Sequence, residues 1–190
     1  MPLKTTLKAR FAGLLLLVLG GLSAQAQQCA LFKSEINDVK DFEITVGQLT
    51  DSLKVYAEAA AYAARFADGK DNAGKVEALA GQALAAAHEA VQFASEAQFH
   101  AEICGLDDVV TFSINAESAA IDARDFAEEA YQNAKKAGTV GKLGDLHFFM
   151  RKSLEAAREA GKSSEKAMYA AYDAFYSCTH KDTDAGKGEE

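Results

Sequence analysis

The chain of 190 residues has no tryptophan, only three methionines and three cysteines, and a single proline that stands second. With Pro2 confined to the start, no later residue fixes φ or deletes a backbone donor, so long helices are unobstructed. Threonine is too sparse to repeat regularly along a helix, as an ice-binding face would need. Positive charge is in the minority, with 20 Lys and Arg against 28 Asp and Glu and a net charge of −8. Nucleic acids and anionic lipid surfaces both need clustered cations, so neither is an expected partner.

Several chemistries are missing as well. No glutamate is followed by histidine at the third position, which excludes the Glu-x-x-His pattern of bundle di-iron sites. Gly138-Thr139-Val140-Gly141-Lys142 lacks the spacing and the hydroxyl of a phosphate-binding loop. No Gly-x-Ser-x-Gly occurs, and no haem attachment pattern. The chain reads as non-catalytic.

What is present begins with a leader. Lys4, Lys8 and Arg10 precede an apolar run from Phe11 to Leu22, followed by the small residues Ala24-Gln25-Ala26. This order of charge, apolar stretch and small residues predicts a signal peptide over 1–26 and an exported chain, periplasmic or secreted. The run is well short of the roughly 20 residues that span a bilayer, and no later segment is uniformly apolar, so no stable membrane insertion is expected. Gln28 stands where a lipidated Cys29 would want a small residue. The leader holds three positive charges and no negative one, so the net charge of the remainder is −11.

The richest signal is alanine at alternating steps of three and four. One line runs Ala80, Ala83, Ala87, Ala90, Ala94, Ala97, Ala101, and a second runs Ala116, Ala120, Ala123, Ala127, Ala130, Ala134, Ala137. A third runs Ala157, Ala160, Ser164, Ala167, Ala171, Ala174. That rhythm is one face of a helix. Methyl-lined faces bury little area each but let helix axes approach closely, in the manner of a coiled coil. Ala87, Ala94, Ala123, Ala130, Ala160 and Ala167 are the packing residues this assigns. The aromatic residues Phe66, Phe93, Phe99, Phe112, Phe126, Tyr131, Phe148, Phe149, Tyr169, Tyr172, Phe175 and Tyr176 are expected to supply the bulk between close-packed pairs.

Four helices are predicted, over 31–68, 72–104, 107–137 and 143–179. The breaks are Asp68-Gly69-Lys70-Asp71-Asn72, then Gly105 with Asp107, then Gly138 with Gly141 and Gly144. Connections this short make successive helices antiparallel, so the fold class is an all-α, up-down-up-down four-helix bundle over 27–179. Thr45-Val46-Gly47-Gln48 matches a capping box, yet Val39, Phe42, Val46, Leu49, Leu53, Tyr56, Ala60, Ala63 and Ala67 carry a 3-4 rhythm through it, as one continuous helix would. Residues 180–190 lack apolar anchors and read as a disordered polar tail. Ala61-Tyr62 with Gly69 and Gly74-Lys75 is echoed by Ala130-Tyr131 with Gly138 and Gly141-Lys142, an echo that leaves duplication of one hairpin open.

Cys29, Cys104 and Cys178 fall at one end of such a bundle. Counted from turn centres near 70 and 140, Cys29 and Cys178 match best in depth, so a Cys29–Cys178 disulfide is expected, with Cys104 outside it. The rival reading is a zinc or copper site from His100, Cys104 and His180, since Glu96, His100 and Cys104 are spaced i, i+4, i+8. His88 and His147 read as surface or packing residues, and Arg151-Lys152, Glu155, Arg158-Glu159 and Lys162 as a solvated face. The functional expectation is an exported, non-catalytic structural or interaction bundle with an unidentified protein partner. The alternative is a periplasmic protein that binds a metal or small ligand.

Overall fold

The computed structural model describes the chain over residues 24–105 and 107–185, and its side chains over 27–179 apart from 106. Four helices follow in order: α1 (Ala24–Ala61), α2 (Phe66–Cys104), α3 (Asp107–Thr139) and α4 (Leu143–Ala185). There is no strand among the described residues. The leader assigned to 1–26 lies outside them except for 24–26, which form the first turn of α1. α4 continues six residues past its expected end, through backbone assigned to a disordered tail, and residues 186–190 lie outside the description.

Each helix packs along its sequence neighbour and α1 also packs along α4, while the diagonals barely touch. Paired contacts give the directions. Against α1, Cys29 meets Cys104, Glu35 meets His100 and Phe42 stacks on Phe93, so numbers rise on α1 as they fall on α2. Ser164 meets Glu43 and His147 meets Ala63, so α4 also runs against α1. Lys70 meets the Gly138 carbonyl and Tyr131 lies over Gly81, which sets α3 against α2. The arrangement is up-down-up-down.

All residues of the three alanine lines are buried, Ser164 included. Most of the bulk between them comes from outside the expected aromatic set, which contributes in part. Phe32, Ile36, Val39, Val46 and Leu53 of α1 and Leu146 and Met150 of α4 are fully buried. Phe93 is buried and Phe66, Phe112, Tyr131 and Phe149 pack partly against the core, but Phe99, Phe148, Tyr169, Tyr172, Phe175 and Tyr176 are exposed. Close axes leave little room for rings at the seam, so the larger aromatics sit beside it or outside.

α1 is one helix through 45–48, as its rhythm implies. The Thr45 hydroxyl donates back to the Asp41 carbonyl at 3.0 Å, an interior bond rather than a cap. Its buried line differs from the expected one, however. Phe32, Ile36, Val39, Glu43, Val46, Thr50, Leu53, Ala57 and Ala60 face inward, so Glu43, Thr50 and Ala57 stand where Phe42, Leu49 and Tyr56 were expected.

The first break also moves, to Tyr62-Ala63-Ala64-Arg65, and the Asp-Gly-Lys-Asp-Asn stretch lies inside α2. Gly69 is a close-approach residue: a Cβ there would stand 3.0 Å from a Leu146 methyl and 3.4 Å from the Ala63 Cβ. His147 donates through Nε2 to the Ala63 carbonyl at 2.9 Å, and extended Arg65 pairs with Asp68 at 2.7 Å. Packing against α4 thus sets a turn that carries no local turn signature. Gly105 does stop α2 as expected, at φ 68° with its N–H on the Glu102 carbonyl. The echoed Ala-Tyr pairs occupy different places, Tyr62 in a turn and Tyr131 inside α3.

Candidate functional site

The apolar core is continuous toward both ends of the bundle and breaks into small clusters at mid-length. Polar residues occupy that level: Glu43 and Thr50 from α1, Ser163 and Ser164 from α4, all buried. The Thr50 hydroxyl donates to the Gly47 carbonyl at 2.9 Å and the Ser164 hydroxyl crosses to the Glu43 main-chain carbonyl at 2.6 Å. Neither reaches the Glu43 carboxyl as a hydrogen-bond partner, and both of its oxygens are buried without one. Glu43 itself is 1% exposed. Burial raises its pKa from the ordinary 4.5 to about 8, and the Ser164 hydroxyl opposes that rise. The side chain therefore holds its proton at neutral pH.

Above this level a groove of about 510 Å³ opens between α1 and α4. Gly47 and Gly161 leave it room, with Ile44 and Met168 as apolar walls and Glu43 and Ser164 among its lining. Lys54 is tied to Asp51 and Lys162 to Glu159, each at 2.6 Å. Arg158 and Glu165 complete the charged rim. A second hollow of about 350 Å³ shares Met168 and adds Lys40, Tyr169, Tyr172 and Asp173.

Sequence reasoning missed Glu43 because a charged residue was not placed on a core line. The signal was available: the 3-4 rhythm started from Phe32 and Ile36 passes through Glu43.

The sulfur pairing expected from depth is corrected. Cys29 bonds Cys104, with Cα atoms 5.8 Å apart, and Cys178 is buried in the cluster with Phe32 and Ile36. Depth along the axis did not decide the pairing; the side-by-side register of α1 and α2 did. The α1–α2 register of Glu35 with His100 and Phe42 with Phe93 leads on to Cys29 and Cys104.

That bridge also removes the thiolate from the expected zinc or copper set. His100 places Nδ1 2.6 Å from Glu35 Oε2, and the His180 side chain lies outside the described residues. Among the described residues no three His, Cys, Asp or Glu side chains are grouped to hold a metal ion. Burial raises the Glu35 pKa, the His100 contact opposes that, and Glu96 and Asp38 add to it.

The outer face of α4 is a third feature. Arg151, Glu155, Arg158, Lys162, Glu165, Tyr169, Tyr172 and Tyr176 are exposed at steps of four and three, opposite the alanine seam. Tyr169, Tyr172 and Tyr176 are 57%, 55% and 50% exposed, and Tyr172 stacks on Tyr176 with centroids 6.3 Å apart. No helix among the described residues is long and apolar enough to cross a membrane.

These features define a four-helix bundle with an alanine seam, a disulfide at one end and a polar mid-level beneath a groove. Comparison with family models, curated proteins and solved structures found no match.

Proposed function

We propose that this chain is an exported, non-catalytic interaction protein that pairs with a second copy of itself through the outer face of α4. The observation that carries the reading is the outward heptad on that helix. Its first half is mainly charged and its second half is tyrosine. Two copies crossing antiparallel about a two-fold axis would lay Arg158 and Lys162 of each over the tyrosines of the other, twice. Tyrosine and arginine are residues that interfaces favour. Export is supported by the leader sequence and is compatible with the disulfide, and the non-catalytic reading rests on the motifs the sequence lacks.

Sedimentation equilibrium of the chain from residue 27 tests it. A dimer at tens of micromolar is expected, converted to monomer by Tyr169→Glu with Tyr172→Glu while helical circular dichroism is kept. A monomeric parent chain at that concentration overturns the reading.

A further inference from the structure

We propose that the groove between α1 and α4 binds a small organic ammonium compound, with the Glu43 carboxylate as counter-ion and Ile44 and Met168 as apolar walls. The groove rim shares Arg158, Lys162 and Glu165 with the face proposed for self-pairing, and the test of the groove reads heat and proton release rather than oligomeric state.

The argument starts from the two carboxyl oxygens of Glu43, buried without a hydrogen-bond partner. A carboxylate kept from water needs donors or an opposite charge, and one left without either is costly. An ammonium group supplies both. A metal would want several ligands, and no such group surrounds Glu43 among the described residues. An anion could accept only the proton of the neutral carboxyl and would be repelled once Glu43 ionises, which makes an anionic ligand the control.

The space fits a compound of this kind. About 510 Å³ is within the range of small-molecule sites, roughly 300–1,000 Å³. A Cβ added at Gly47 would meet only the Ser164 hydroxyl, at 3.9 Å, so the glycine leaves an opening beside the polar level. Glu43 is itself among the residues that line the groove. Ile44 and Met168 offer contact to a short carbon chain, and the Tyr169 and Tyr172 rings stand in the adjoining hollow. Two of the rim cations, Lys54 and Lys162, already have carboxylate partners, which reduces their repulsion of an incoming cation.

Protonation links to binding. Asp51 and Lys54 face the groove from α1, and Arg158, Lys162 and Glu165 from α4. α2 and α3 bring Ala87, Ala90 and Ala120 to this level, with His88, Glu89 and Asp122 on exposed positions. Desolvation is the leading cause of the raised Glu43 pKa, and no charged neighbour contributes to it. An ammonium ligand therefore displaces the Glu43 proton, and its affinity rises about tenfold per pH unit until Glu43 is ionised.

Calorimetry of the disulfide-intact chain tests this with n-butylamine, and with butyrate as the anionic counterpart. Saturable n-butylammonium binding with release of close to one proton per site at pH 7, read from buffers of different ionisation enthalpy, is expected. Glu43→Gln should weaken it at least tenfold and abolish the proton release. Gly47→Leu, which fills the opening while leaving Glu43 in place, should also weaken it at least tenfold. Absence of saturable heat, butyrate binding as well as the amine, or undiminished binding to Glu43→Gln would each overturn the proposal.

Discussion

Glu43 occupies a position that helix periodicity reserves for an apolar side chain, and the consequence is a linkage between folding and pH. The unfolded chain releases this proton near pH 4.5, whereas the folded chain holds it to about pH 8. Between those values the folded state binds more protons, so stability falls as pH rises, and the penalty is constant above the upper value. Below pH 4.5 both states are protonated and the penalty vanishes. The raised pKa of Glu35 acts in the same direction. Urea unfolding of the parent and of Glu43→Gln at pH 5 and pH 8.5 isolates the Glu43 share. The variant should gain stability relative to the parent at the higher pH, by up to about 5 kcal/mol. Equal pH dependence of the two chains would show that Glu43 does not titrate with folding.

At the scale of the helix, two glycines in α2 behave oppositely. Gly74 is exposed with open space where a Cβ would stand, so Gly74→Ala should stabilise by up to about 1 kcal/mol through helix propensity alone. Gly69 is buried against Leu146, and its Cβ would arrive at 3.0 Å from a side chain that is itself fully buried. Gly69→Ala should lose that gain and fall below the parent, since overpacking costs about 1–3 kcal/mol. Thermal melts of the two variants compare them directly. Gly69 reads as a turn residue in the sequence and Gly74 falls inside the helix expected over 72–104. The structure puts both inside α2, Gly74 on an exposed position and Gly69 where α2 and α4 meet.

For the whole molecule, the Cys29–Cys104 bridge ties the start of α1 to the end of α2, closing a loop of 75 residues. In the chain-entropy model such a loop stabilises by about 4–5 kcal/mol. Peptide mapping without reduction should recover Cys29 linked to Cys104, and Cys29→Ser with Cys104→Ser should lower the melting temperature. Buried Cys178 should be alkylated only after unfolding. Recovery of a Cys29–Cys178 peptide would reverse the assignment. Away from this end, the bundle relies on its alanine seams and the apolar line of α1, interrupted at mid-length by the polar level.

Sequence alone determined the number of helices, the buried alanine lines, the continuity of α1 and the stop at Gly105. Each is a local property, written as periodicity, propensity or the backbone freedom of one glycine. It did not choose between Phe42 and Glu43, which lie about 100° apart on the same helix, because both lines keep the same rhythm. That choice depended on the narrow space α2 and α4 offer across the seam, where Phe42 fits at the flank against Phe93. The first turn, the sulfur pairing and the outward tyrosines were decided in the same way. All depend on how one helix slides and rotates against another, and that is settled by contacts between residues far apart in the chain.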